Sequence, residues 1–129
     1  SDAIFSASDT AAFMQRLDRA LAAAPVGTAG RTGDFARFFP VPGMAHCSGG
    51  PATDQFDALA PLVRWVEQGE APDELTASAR GAGNAGGVNT ELPAGWAPGR
   101  TRLLCPWPQV ARYKGGDLES AASFRCEAP

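Results

Sequence analysis

The sequence holds a single histidine, His46, a single tyrosine, and only 23 Leu, Ile, Val and Phe side chains among its 129 residues. At about 18% of the chain, these core formers are scarce, so one domain's length comes with a thin supply of core. No stretch approaches the ~20 consecutive apolar residues of a transmembrane helix. Lys and Arg number 11 against 14 Asp and Glu, for a net charge of −3, and no basic run occurs. That excludes the electrostatic footprint of nucleic-acid binding and makes an anionic membrane surface an equally poor partner. No C-x-x-C is present, and one histidine cannot complete a zinc pattern, so neither a zinc site nor a small redox domain is expected. What the chain has in quantity is turn formers, with 15 Gly and 11 Pro, so loops must take a large share of it.

Three cysteines, Cys47, Cys105 and Cys126, are an odd number, and any pairing inside the chain leaves one thiol for a partner outside it. The opening Ser1-Asp2-Ala3 carries neither a basic stretch nor an apolar core, so no signal peptide is expected in these residues, and the start reads as a cut through a larger protein.

Ser8 or Asp9 caps an expected helix over 9–24, with Phe13, Leu17, Leu21 and Ala24 at helical spacing beside Met14 and Ala20. Pro25 and Gly27 end it, and a polar connection runs to Gly33. Phe35-Ala36-Arg37-Phe38-Phe39 reads as a strand buried on both faces and closed by Pro40. A tight loop, Pro42 to Pro51, leads to a second helix with Thr53 as cap and Phe56, Leu59, Ala60, Val63 and Val66 as its stripe. Gly69 and Pro72 stop that helix, and Pro61 is expected to kink or divide it. From Gly81 to Gly99 a long loop is expected, pinned by Trp96. Leu103-Leu104-Cys105 and Val110 to Tyr113 read as short extended segments, and Leu118 to Cys126 as holding a helical turn.

Gly81-Ala82-Gly83-Asn84-Ala85-Gly86 matches G-x-G-x-x-G, but Gly87, Asn89 and Pro93 follow where a phosphate cradle needs a helix. His46 is the sharper signal. A histidine in a glycine-flanked loop between a buried strand and a helix sits where α/β enzymes present site residues, although such a residue also serves simply to hydrogen-bond a turn. Of the aspartates available to orient it, Asp9 and Asp54 are expected at helix starts, Asp18 on a polar helix face and Asp34 in a turn. Asp57 remains a formal candidate. Asp2 has no such competing role beyond solvation at a terminus.

Phe38-Phe39-Pro40-Val41-Pro42-Gly43-Met44-Ala45-His46-Cys47-Ser48-Gly49-Gly50-Pro51, then Asp57 and Leu62-Val63-Arg64-Trp65-Val66-Glu67, closely resembles the C-terminal part of the tannase and feruloyl esterase family. That family includes the mono(hydroxyethyl) terephthalate hydrolases. Arg100 to Tyr113 and Ala121 to Cys126 are two further blocks similar to it, in the right order and together covering nearly the whole chain.

The resemblance implies the C-terminal portion of an α/β-hydrolase: helix, strand, His loop, helix and a disulfide-pinned tail, with an incomplete sheet. Residues 1–80 would end the hydrolase core and 81–129 form a loop-rich tail. His46 matches the family's catalytic histidine, and Asp2, in Ser1-Asp2-Ala3-Ile4-Phe5-Ser6 followed by Asp9-Thr10, matches the triad acid. Acid before histidine preserves the order of such enzymes. Cys47 would bond a cysteine beside the nucleophilic serine, and Cys105 and Cys126 would pair in the tail.

The serine elbow is not in this chain. Ser48 lies directly after the base, where it caps or lines the loop. The oxyanion hole and the substrate-binding lid with its calcium belong to sequence outside this chain, which needs no cofactor of its own. The expectation is a secreted or periplasmic serine carboxylic ester hydrolase for aromatic esters of the hydroxycinnamate or gallate type. These residues would supply its acid and base, be inactive alone, and have the rest of the hydrolase as partner. The alternative is a non-catalytic α+β domain or a fragment that dimerises over its sheet edge.

Overall fold

A computed structural model of the chain describes residues 2, 4–25 and 30–129. Gly27, Ser1 and Ala3 lie outside them. In order come α1 (Ala7–Ala22), a 3-10 turn at Thr32–Asp34, α2 (Leu59–Gln68), β1 (Leu75–Ser78), β2 (Thr101–Leu104), β3 (Val110–Tyr113), a second 3-10 turn at Ala121–Ser123, and β4 (Phe124–Glu127). No helix among the described residues is long and apolar enough to cross a membrane.

Helix α1 forms where the apolar spacing places it, two residues earlier than expected. Ser6 holds the N-cap position, without a side-chain cap bond, and Asp9 lies in the first turn beside the positive end of the helix dipole. Only Met14 of its stripe is buried.

The expected strand at 35–39 is not formed. A 3-10 turn precedes it, Phe35 is exposed, and residues 36–41 have no ladder. Strand geometry is stabilised by a hydrogen-bonded neighbour, and among the described residues the backbone of 36–41 reaches a distant segment through one bond, Trp107 N–H to the Phe38 carbonyl at 2.7 Å. Phe39 and Val41 still find apolar cover, packing against Leu75, Ala77 and Leu104. His46 therefore follows an irregular segment and not the carboxyl end of a strand.

Helix α2 is also shorter than its apolar pattern. Thr53 is buried ahead of it, and Phe56 joins the Leu75, Ala77 and Leu104 cluster instead of a helical stripe. The cap is supplied by Asp57, whose Oδ1 accepts the N–H groups of Leu59 and Ala60 at 2.9 and 3.0 Å. Because the helix starts at Leu59, Pro61 falls in the first turn, where a backbone N–H has no intrahelical acceptor to lose. The expected kink does not arise. Gly69 at φ 76° closes the helix as the left-handed C-cap.

Two antiparallel hairpin-like pairs make up the rest. β1 pairs with β2 in the register Leu75 to Leu104, and β3 pairs with β4 in the register Val110 to Glu127. Side chains alternate across β2, so Leu104 enters the cluster with Leu75 and Ala77 while Leu103 and Cys105 face Ala121, Phe124 and Cys126. The Cys105–Cys126 disulfide bridges the second cluster. In the loop before β2, Trp96 is half-buried beneath the Arg100 guanidinium, 4.1 Å from the ring centroid, which pins it. Gln55 and Ser78 exchange both backbone hydrogen bonds, at 3.1 and 2.8 Å, and so tie the chain leaving the His46 loop to the end of β1.

Candidate active site

Two local structures create the site. The first is a turn organised by Asp2, whose Oδ1 accepts the N–H groups of Ile4 and Phe5 at 2.7 and 3.0 Å. Its other oxygen, Oδ2, stands 3.0 Å from His46 Nδ1. The hydrogen bonds from Phe5 N–H, from His46 and from Ile4 N–H favour the carboxylate and hold it down at about 2. An ionised carboxylate only accepts, so the shared proton belongs to Nδ1, and Nε2 is the acceptor nitrogen of the neutral ring. The Phe5 ring lies 5.7 Å from the imidazole, centroid to centroid.

The second is the His46 loop. Ala45 N–H donates to the Gly49 carbonyl at 3.1 Å and Ser48 N–H to the His46 carbonyl at 2.8 Å. Cys47, at φ 65°, takes a left-handed conformation uncommon for a residue with a side chain, and it is exposed with a free thiol. Gly50, at φ 75°, is required: a Cβ there would run into the Gly43 carbonyl oxygen.

Behind the loop stands a group that the sequence pattern does not announce. Asp54, expected at a helix start, instead has a fully buried side chain that pairs with Arg80. Arg80 Nε and Nη2 approach its oxygens at 3.0 and 2.6 Å, and Gly49 N–H donates to Oδ2 at 2.6 Å. The Arg80 guanidinium, with the Gly49 N–H, keeps this carboxyl below its usual range despite burial. From the 81–99 loop, Glu91 Oε2 accepts Gly50 N–H at 2.7 Å and Asn89 Nδ2 donates to the Gly50 carbonyl at 2.9 Å. Apart from Gly49 and Asp54, these partners lie 26 to 41 residues apart in the chain, which no spacing rule reveals.

The other aspartates stay away from His46. Asp34 accepts Arg31 N–H at 2.7 Å, Asp57 caps α2, and Asp9 and Asp18 are exposed on α1. Ser48 is exposed beside the base. The Gly81 to Gly86 stretch follows β1, but no helix opens from it, and the Gly86 and Gly87 carbonyls accept from Arg80. Beside Asp2 lies a cavity of about 760 Å³ whose lining includes Phe5, Phe38, Phe39, Val41 and Met44.

The sequence profile described as tannase and feruloyl esterase matches residues 1–127. The chain belongs to the tannase and feruloyl esterase family. It is 53% identical over 130 residues to the mono(2-hydroxyethyl) terephthalate hydrolase of Piscinibacter sakaiensis, a match covering 100% of this chain and 19% of that protein. It is 41% identical over 103 residues to a probable feruloyl esterase of Arthroderma benhamiae, covering 78% of this chain and 17% of the relative. Two solved Aspergillus oryzae structures, an esterase and feruloyl esterase B, match with TM-scores of 0.70 and 0.67. Each is 25% identical, and each match covers 98% of this chain and 25% of the other. The chain thus spans about a fifth of the length of its curated relatives, in their C-terminal part. The relatives named here are ester hydrolases by their descriptions.

Proposed function

We propose that these residues form the acid- and base-bearing part of a serine carboxylic ester hydrolase acting on aromatic esters of the hydroxycinnamate or gallate type. The observation that carries the reading is the Asp2–His46 hydrogen bond of 3.0 Å, made across 44 residues by an acid held ionised far below neutral pH. The expected disposition of a triad is a carboxylate that fixes the imidazole tautomer and leaves Nε2 to take a proton.

In that chemistry a serine from outside these 129 residues gives its hydroxyl proton to His46 Nε2 while its oxygen attacks the ester carbonyl carbon. The imidazolium, stabilised by Asp2, then protonates the departing alkoxide. Water repeats the two steps on the acyl-enzyme, releasing the aromatic acid and restoring serine.

Further features support the assignment. The apolar cavity beside Asp2 and the bare stripe of α2, where Leu59 is 69% and Val66 78% exposed, offer faces for the rest of the hydrolase to cover. The exposed Cys47 thiol, next to the base, is available to bond a cysteine beside the serine. The Cys105–Cys126 disulfide fits a secreted or periplasmic protein. Calcium and the lid that selects the ester are assigned to the remaining polypeptide.

The test is hydrolysis of feruloyl, galloyl and terephthaloyl monoesters by the longer polypeptide that carries these residues and the serine. His46→Ala and Asp2→Asn are each expected to lower kcat by roughly 10³-fold or more with KM little changed. A His46→Ala enzyme as fast as its parent would end this reading.

A further inference from the structure

The His46 loop has four residues with positive φ between Gly43 and Gly50 and contributes nothing to either apolar cluster. Glycine-rich backbone without packing is the kind that moves. Yet each polar backbone group of the Gly49–Gly50 turn has a partner. Gly49 N–H goes to Asp54, the Gly49 carbonyl to Ala45 N–H, Gly50 N–H to Glu91, and the Gly50 carbonyl to Asn89. Asn89 also accepts Glu91 N–H at 3.0 Å and donates its own N–H to the Arg80 carbonyl at 2.8 Å, which closes the group into one network.

We infer that Asp54 and Arg80, with Asn89 and Glu91, are positioning residues that hold the Gly49–Gly50 turn and through it aim His46 at the serine. The inference rests on the hydrolase reading above. Burying a paired carboxylate is a poor route to stability, since apolar side chains of similar volume commonly do as well or better. What apolar residues cannot do is accept the Gly49 N–H. The buried charge is therefore directed at a backbone group three residues beyond the base, and Glu91 and Asn89 act on the next residue. On its other side the ring is held by Asp2 and lies against Phe5. The 81–99 loop thus supports the base without touching it.

The experiment uses the longer polypeptide that carries the serine. Asp54→Asn is expected to reduce kcat by roughly 10- to 100-fold, because a displacement of about 1 Å at a reacting group costs on that order, with KM within about 3-fold. Glu91→Ala, at an exposed residue, tests the same turn without disturbing a buried group. It should reduce kcat several-fold at an unchanged melting temperature. The pair Asp54→Leu with Arg80→Met restores packing but leaves Gly49 N–H without its acceptor, so its stability should recover while kcat stays low. Wild-type kcat in Asp54→Asn and Glu91→Ala, or in the double variant, would overturn the inference. His46→Ala separates the two readings. If it is inactive while Asp54→Asn and Glu91→Ala, or the double variant, are fully active, only the positioning role falls; if it is active, both fall.

Discussion

The N-terminal and C-terminal halves of the chain solve the shortage of core side chains in opposite ways. From β1 onward, short strands pair with each other, β2 serves two apolar clusters, and a disulfide joins the second. Before β1, the helices leave most of their apolar stripes open among the described residues: α1 buries one residue and α2 none. The acid and base both lie in that less-packed half, held by hydrogen bonds to backbone and to each other. Stability and the candidate chemistry therefore occupy different parts of the molecule. Through Arg80, Asn89 and Glu91, which bond Asp54 and the Gly49–Gly50 turn, the packed half reaches the His46 loop.

Leu104 is the largest fully buried side chain among the described residues and marks the packed half's centre. Leu104→Ala should cost about 2–5 kcal/mol in urea unfolding of the 129-residue chain. A loss below about 1 kcal/mol would mean that the clusters around β2 are not the stabilising centre. Replacing Cys105 and Cys126 together by Ser should cost about 3 kcal/mol, for a loop closed across 21 residues. In the same assay Asp57→Ala, which removes the α2 cap, should cost about 1 kcal/mol. Smallest of the stability effects, Val66→Ser on the bare face of α2 should stay within about 0.5 kcal/mol in this chain. In the longer polypeptide the same change should cost roughly 1–3 kcal/mol, if that face is covered there. Equal effects in both contexts would erase the distinction between the halves.

A pH titration sharpens the comparison without changing a residue. The Asp2 carboxyl in the folded chain sits at about 2 against an ordinary 3.8, so its contribution is complete above the ordinary value and lost as pH falls through about 2. Following the Asp2 carboxyl carbon by NMR should give a midpoint near the lower figure. A midpoint at the ordinary value would mean that the turn and the His46 contact are not formed in solution.

Much of this was legible in the chain because it depends on near neighbours. The spacing of Phe13, Leu17 and Leu21 is enough for α1, since a helix satisfies its backbone within itself. The extended segments at 103–105 and 110–113 could be read from short apolar runs between turn formers. The pairing of Asp2 with His46 was visible only through family resemblance, because composition and spacing alone left several aspartates open. β1 escaped notice since Ala77 and Ser78 are indifferent strand formers, and it exists because β2 lies beside it.

The sequence alone was enough for the helical spacing of α1, the glycine turns, the odd cysteine and the His46 loop, all of which follow from local backbone chemistry. Tertiary structure alone decided that Phe35 to Phe39 carries no strand, that Pro61 falls harmlessly in a first turn, and that Asp54 turns inward to Arg80 instead of capping a helix. In each case the outcome depends on a partner tens of residues away or on where an element begins. A strand, a buried charge and a pinned turn are stable only when something distant completes them.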